Sequence, residues 1–266
     1  MSDDPIRYWQ TLTTVEAGSL ADHDPVTVLP LAAIEQHGPH LPLSTDLDIG
    51  LGLLAEAFRR LPADVAAYVL PPQVIGASRE HLRFAGTLSL PPEVVVESIL
   101  QLGAAVAASG VRRLVVCNSH GGNQRVVDDA ALQLREEVGL LVVKASYFAF
   151  TRPDDLGLPE AEWRHGLHGG AVETAMMMHL RPELVRRDAV QRFTSLGQEL
   201  DGTLRHLGPE GDASFAWLAG DLNPQGVTGD ATLATADIGA RLVTHYGSVL
   251  AAVIQDALAF PLARLV

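Results

Sequence analysis

The chain has a single cysteine, Cys117, in 266 residues, so no internal disulfide can form and a reducing compartment is the expected setting. Its neighbours Leu114, Val115 and Val116 mark Cys117 as core rather than nucleophile. Basic residues are also scarce, with 19 Lys and Arg against 32 Asp and Glu and a formal net charge of −13. That balance and the lack of any basic cluster exclude nucleic-acid binding by phosphate neutralisation, leaving small molecules as the expected partners. No stretch approaches the roughly 18 uninterrupted apolar residues of a membrane span. The opening MSDDPIRYWQ has neither the basic segment nor the apolar run of a signal peptide, so the expectation is a cytoplasmic protein with no membrane association. Aromatic residues reach only 5%, yet 47% of the chain is hydrophobic and 19% charged, which excludes disordered and fibrous classes. There is no internal repeat and no low-complexity tract.

What is present suffices for one large α/β domain over residues 1–266. Val26 to Ile34 reads as a buried strand, Ala67 to Leu70 as a second, Val111 to Cys117 as a third and Leu140 to Ala145 as a fourth. Helical spacing of apolar residues runs from about Leu47 to Arg59, from Pro91-Pro92 to Ala108, and up to Glu137. Strands alternating with helices predict a mainly parallel sheet covered on both faces, with ligands gathered beyond the carboxyl ends of the strands. Thr151 to His168 reads as an irregular loop, Ala171 to Leu180 as a helix and Ala231 to Phe260 as a final amphipathic helix. The stretch from about Gln191 to Gly229 is long for a connection, which points to a site rim or an oligomer contact.

Three strings carry chemistry. Glu35-Gln36-His37-Gly38-Pro39-His40-Leu41-Pro42-Leu43-Ser44-Thr45-Asp46 places two carboxylates and two imidazoles just beyond a strand. Imidazole with carboxylate suits zinc, manganese or iron, and Asp46 has two oxygens with which to bridge two ions. The plainer reading makes Asp46 a helix cap. Asn118-Ser119-His120-Gly121-Gly122-Asn123 follows the third strand, and paired glycines let backbone N–H groups approach an anion or oxyanion. Without a following Lys-Ser or Lys-Thr it is no P-loop. His168-Gly169-Gly170-Ala171-Val172-Glu173-Thr174 sets an imidazole and a carboxylate five residues apart at a helix start, as a proton donor and its orienting or metal-bound partner. Its plainer reading is a helix N-terminus favoured by Glu173, with His168 solvated.

The strings EQHGPHLPLSTD, NSHGGN and HGGAVET resemble the three site motifs of the creatininase family, and IGASREHLRFAGTLSL and GVTGDATLATADIGARL resemble its other recurrent segments, over roughly residues 25 to 250. That resemblance implies a three-layer α/β/α sandwich, a homohexamer, and two divalent ions per subunit, zinc first and manganese or iron next. By motif matching, Glu35, Asp46 and His120 would hold one ion, with His37 and Asp46 on the other. His168 matches the catalytic histidine, and Ser78 and Gly121 match positions against the substrate, with Gly122 beside them. The implied reaction is hydrolysis of a C–N amide, cyclic amide or formamide bond of a small molecule by metal-activated hydroxide, with His168 protonating the leaving nitrogen and the Gly121-Gly122 backbone near the oxyanion.

Two departures separate the chain from creatinine hydrolases proper. Those enzymes supply a glutamate to the second ion two residues after the metal histidine, where this chain has Gly122. Glu173 is therefore expected to approach that ion, in addition to a catalytic role beside His168. Their substrate pocket also uses tryptophans near the catalytic histidine, and here only Trp163 lies in that neighbourhood, followed by Arg164, His165 and Gly166. The chain looks closer to the mycofactocin peptidase and formamide hydrolase-like members. The alternative reading is accordingly a peptidase trimming a short modified peptide in cofactor maturation, for which a long open cleft along 191–229 would speak. A third reading, a non-catalytic metabolite-binding protein, would require a damaged ligand set. His81 and Arg83 fit an acidic substrate group or a surface contact equally, His40 fits a place behind the ligands, and Met176, Met177 and Met178 fit helix core.

Overall fold

Alternation along the strands sets the layers. In β1 (Val26–Leu31), Val26 and Val28 point to one core while Leu29 and Leu31 point to the other. In β3 (Arg113–Asn118), Val115 and Cys117 join the first core, and Leu114 and Val116 join the second. Every residue of both strands is buried, as continuous apolar runs in a parallel sheet require. The computed structural model describes residues 4–265.

With β2 (Ala67–Val69) and β4 (Leu141–Ser146) these strands form a parallel sheet in the order β2-β1-β3-β4. Val26 pairs with Ala67 on one side and with Arg113 on the other, and Arg113 pairs with Leu141. Helices Thr45–Arg60, Ala171–Leu180 and Ala236–Ala259 cover the first face, and Pro92–Ala108 and Gln124–Val138 cover the second. The result is the expected three-layer α/β/α sandwich. The chain leaves β1 toward β2 in one direction and later builds β3 on the opposite side. The carboxyl ends of β1 and β3 therefore flank the point where strand order reverses, which is where such sheets open a crevice.

Helix Ala236–Ala259 is long and apolar enough to cross a membrane by length and mean hydropathy (1.2). Here Leu242, Val243, Tyr246, Leu250 and Ile254 face the core, so it packs as a core helix. It begins at Ala236 rather than Ala231, because the Thr235 hydroxyl accepts from Ile238 N at 3.2 Å and caps it there.

Other boundaries also differ from the expectation. β1 ends at Leu31, and Ile34 instead makes an isolated bridge to Leu88 as the chain turns away from the sheet. Residues 151–168 are not wholly irregular: Glu160–His165 is a short helix entered from Pro159. The 191–229 stretch contains helices Leu196–Leu200 and Ala219–Leu222 and a pairing of Leu207–Gly208 with Ala213–Ser214. Its last residues reach the site, where Thr228 bridges His168.

Candidate metal centre and active site

Glu35 follows β1 into the crevice and is fully buried, its backbone N–H donating to Leu43 O at 3.1 Å. Its Oε1 lies 3.2 Å from His120 Nδ1, 3.4 Å from His81 Nε2 and 3.7 Å from His168 Nδ1. His37 Nε2 stands 3.6 Å from Asp46 Oδ1 and 3.8 Å from Glu173 Oε2. Asp46 Oδ2 stands 3.8 Å from His120 Nδ1. The three strings thus converge, and Asp46 lies between both histidines.

Asp46 sits in the first turn of helix Thr45–Arg60, whose N-cap is Ser44, so its carboxylate is not a cap. It turns into the site instead. Glu173, in the first turn of helix Ala171–Leu180, accepts from Gly169 N at 2.6 Å and from the Tyr147 hydroxyl at 3.3 Å. That aims its carboxylate at His37 rather than at solvent. Gly38 and Gly169 both adopt φ of +67°, and a Cβ on either would come within 2.7 Å of the buried Val227 side chain. Glycine is required at both for the loops to close over the site.

Among the described residues, four buried atoms of this cluster have no hydrogen-bond partner: Glu35 Oε1 and Oε2, His37 Nε2 and Asp46 Oδ2. Buried polar atoms are rarely left unpaired, and these all face one another. The donors group as Glu35, Asp46 and His120, as His37, Asp46 and Glu173, and as Glu35, His37 and His168, each set within 4.8 Å. Carboxylate and imidazole at such separations fit a divalent cation. Glu173 provides the third donor to the second group.

Without a cation the cluster is electrostatically self-paired. Burial opposes charge on His37, yet Asp46, Glu173 and Glu35 raise it to about 9. Burial likewise opposes charge on His120, and Glu35, Asp46 and Glu80 raise it to about 10. Burial, and then Glu35, pushes Asp46 up to about 6. Glu35 is held well below its ordinary value against its burial, chiefly by His120. Burial, reinforced by His37, lowers His168 to about 4, so it is neutral at pH 7.

The remaining candidates fall into two places. Gly121 is exposed with open space around it. Ser78 Oγ is 3.3 Å from His120 Nε2, on the side of the ring turned away from Glu35 and Asp46 and toward Glu80. Gly122 lies on that side too: a Cβ there would meet Ala77 O, Glu80 Oε1 and His120 Nε2 at 2.5 Å each. His40 sits behind the loops, its Nε2 at 2.9 Å from Thr174 Oγ1 and 3.1 Å from Gly169 O. Trp163 is away from the donors, stacked under Arg152 at 5.3 Å.

Some contributors were not singled out in the sequence. Asn123 ties both loops together, accepting from Ala77 N at 2.9 Å and donating to Ala32 O at 3.0 Å. Glu162 is buried, and its oxygens accept from Ala171 N at 2.7 Å and Asp230 N at 2.6 Å, fixing the His168 loop from behind. Tyr147 directly follows β4, a position that flags it because ligands gather beyond strand ends. The 191–229 stretch lines a cleft of about 300 Å³ with Arg164, His165 and Leu167, the last adjoining His168.

A carboxylate and imidazole donor set in the crevice of a parallel sheet defines a class of α/β protein suited to divalent-metal chemistry. This chain belongs to the creatininase family, whose family model, described as creatinine amidohydrolase, matches residues 10–254. It is therefore a hydrolase of that family. It is 34% identical over 238 residues to the mycofactocin precursor peptide peptidase of Mycobacterium ulcerans (strain Agy99), covering 87% of this chain and 85% of that one. It is 31% identical over 189 residues to the creatinine amidohydrolase of Pseudomonas putida, covering 64% and 70%. Among solved structures, a creatinine amidohydrolase (creatininase) superposes with a TM-score of 0.79 at 25% identity, covering 98% of this chain and 100% of that one. A Zn-Zn form of a mutant creatininase gives 0.78 at 25% identity, covering 96% and 98%.

Proposed function

We propose that this protein is a divalent-metal-dependent amidohydrolase that cleaves a C–N amide bond, and that its substrate is a short modified peptide. The observation that carries the hydrolase reading is the set of buried, hydrogen-bond-free donors on Glu35, His37 and Asp46. The peptide rather than a compact small molecule is supported by the 34% identity to a peptide peptidase. A small-molecule amide or formamide is the second reading, favoured by the creatinine amidohydrolase relative. An intact donor set argues against a non-catalytic binding protein.

In this reading Glu35, Asp46 and His120 would hold one ion, and His37, Asp46 and Glu173 would hold the other. Divalent ions there supply Lewis acidity that polarises a carbonyl and makes water nucleophilic near neutral pH. His168 donates from Nε2 to Gln36 O at 2.7 Å, so its Nδ1 lone pair faces the donors. It accepts the proton given up by water and returns it to the leaving nitrogen. Gly121 leaves room for the substrate to approach. The same reading takes residues 1–266 as one domain, zinc as the ion, and a cytoplasmic homohexamer as the working form.

The test is metal analysis of the native protein followed by hydrolysis assays on a library of short peptides and on creatinine. Metal-dependent peptide cleavage, lost in folded Asp46→Ala and His120→Ala variants, is expected. Turnover of creatinine with no peptide cleaved would reverse the substrate assignment, and activity retained in either variant would remove the site.

A further inference from the structure

The imidazoles around the donors differ in which nitrogen they turn inward. His37 Nδ1 lies 3.1 Å from Glu35 O, His120 Nε2 lies 3.1 Å from Ala77 O, and His168 Nε2 lies 2.7 Å from Gln36 O. A carbonyl oxygen only accepts, so in the neutral ring each of these outer nitrogens carries the hydrogen and the inner one presents a lone pair. Those three rings are built to bind a cation or a proton.

His81 is built the other way. Its Nδ1 is 2.8 Å from Gln36 Nε2. The Gln36 amide is fixed at both ends: its Oε1 accepts from Gly38 N at 3.0 Å, and its Nε2 donates to Gly226 O at 2.6 Å. The second hydrogen of that amide therefore points at His81 Nδ1, which must carry none. The His81 hydrogen then resides on Nε2, the nitrogen 3.4 Å from Glu35 Oε1. A nitrogen bearing hydrogen cannot ligate a metal, and among the described residues His81 belongs to no candidate metal group.

His81 is nevertheless in the site. It is 2% exposed, and its ring lies 4.3 Å from that of His168, centroid to centroid. Burial is the main influence holding it neutral. The ring rides on the short turn Arg79–His81, separate from the strings that carry the ligands. His81 thus presents a preset hydrogen-bond donor beside rings whose inner nitrogens are turned toward a cation.

We propose that His81, held by Gln36 as the Nε2–H tautomer, binds the carbonyl oxygen of the scissile amide and stabilises it as negative charge develops. It is a substrate-binding and oxyanion-stabilising residue, and neither a metal ligand nor a proton shuttle. No proton leaves His81; its hydrogen bond strengthens as the oxygen gains charge. This role rests on the amidohydrolase reading above.

Neutron diffraction from deuterated crystals, metal-free and zinc-loaded, reads the tautomer directly. Deuterium on His81 Nε2 in both, with no zinc on that nitrogen, is the expected result. Deuterium on Nδ1, or zinc on Nε2, overturns the proposal, and the metal-free crystal decides the tautomer even if the protein takes up no zinc and the metal reading itself fails. In parallel, the zinc-loaded protein is titrated calorimetrically with acetohydroxamate, whose oxygens mimic the polarised carbonyl. His81→Leu is expected to keep its zinc and bind the probe about tenfold more weakly, with His81→Gln, which restores an N–H donor, recovering most of the loss. Unchanged affinity in His81→Leu, or zinc lost from both variants, would refute it.

Discussion

Adding zinc to the metal-free protein should expel protons in a number that the site's electrostatics dictates. With His37 raised to about 9 and His120 to about 10, both rings are cationic at pH 7 in the absence of metal. Each is then about 99% protonated or more, and each must be neutral to ligate, so filling both sites releases about two protons per subunit. Asp46, at about 6, is mostly ionised already and contributes about a tenth of a proton more. Between the two histidine values, near pH 9.5, the count should fall to about one. Isothermal titration in buffers of differing ionisation enthalpy gives the number as a slope. Stability follows the same groups. Their folded values lie above the unfolded value of about 6.5, so their contribution is complete below that pH and is lost as pH rises through 9 and then 10. The metal-free protein should therefore melt lower at pH 10 than at pH 6.5, and the zinc-loaded protein should not share that loss. A slope near zero at pH 7 would mean the imidazoles are neutral without metal and would refute the pairing described for Glu35, His37, Asp46 and His120.

Gly122→Ala forces a Cβ to 2.5 Å from Ala77 O, a backbone atom that also receives the His120 hydrogen bond and cannot withdraw freely. The expected cost is about 1–3 kcal/mol, lowering the melting temperature by about 2–4 °C per kcal/mol, with weaker zinc binding; an unchanged melting curve would show that the loop yields. Glu162→Gln replaces an oxygen that accepts from Ala171 N or Asp230 N with an amide that cannot. A loss of about 1–3 kcal/mol in chemical denaturation and a lower kcat at constant zinc content are expected, and a wild-type kcat would show that the His168 loop does not depend on this carboxylate.

The sheet was legible because all its strands announce themselves as short apolar runs between turn signals. β2 and β4 end within a residue of their expected limits. The ligand strings were legible because each directly follows a strand or enters a helix, so their convergence follows from topology alone. What the sequence hid was the support behind them. Glu162 lies in a Pro- and Gly-rich stretch that reads as irregular, and only tertiary contact with Ala171 and Asp230 reveals a buried carboxylate. Ser78 could be placed near the site but not on the outer side of His120, since that depends on the ring's rotation about its own loop. Glu173 was expected near a second ion, and the hydrogen bonds from Gly169 and Tyr147 are what aim its carboxylate at His37.

The contacts that orient the imidazoles are of two kinds. His37, His120 and His168 are turned by main-chain carbonyls of Glu35, Ala77 and Gln36, which exist whatever side chain those residues carry. His81 is turned by the Gln36 side chain, and that amide is itself fixed by Gly226 from the 191–229 stretch. A change at position 36 therefore leaves the His168 contact available while altering the contact that orients His81. A change in the path of 191–229 reaches the same amide through Gly226, and it also moves Thr228, whose N–H donates to His168 O at 2.8 Å. The ring orientations of His37 and His120 thus rest on main chain outside the 191–229 stretch, whereas that of His81 rests on a side chain which the stretch fixes.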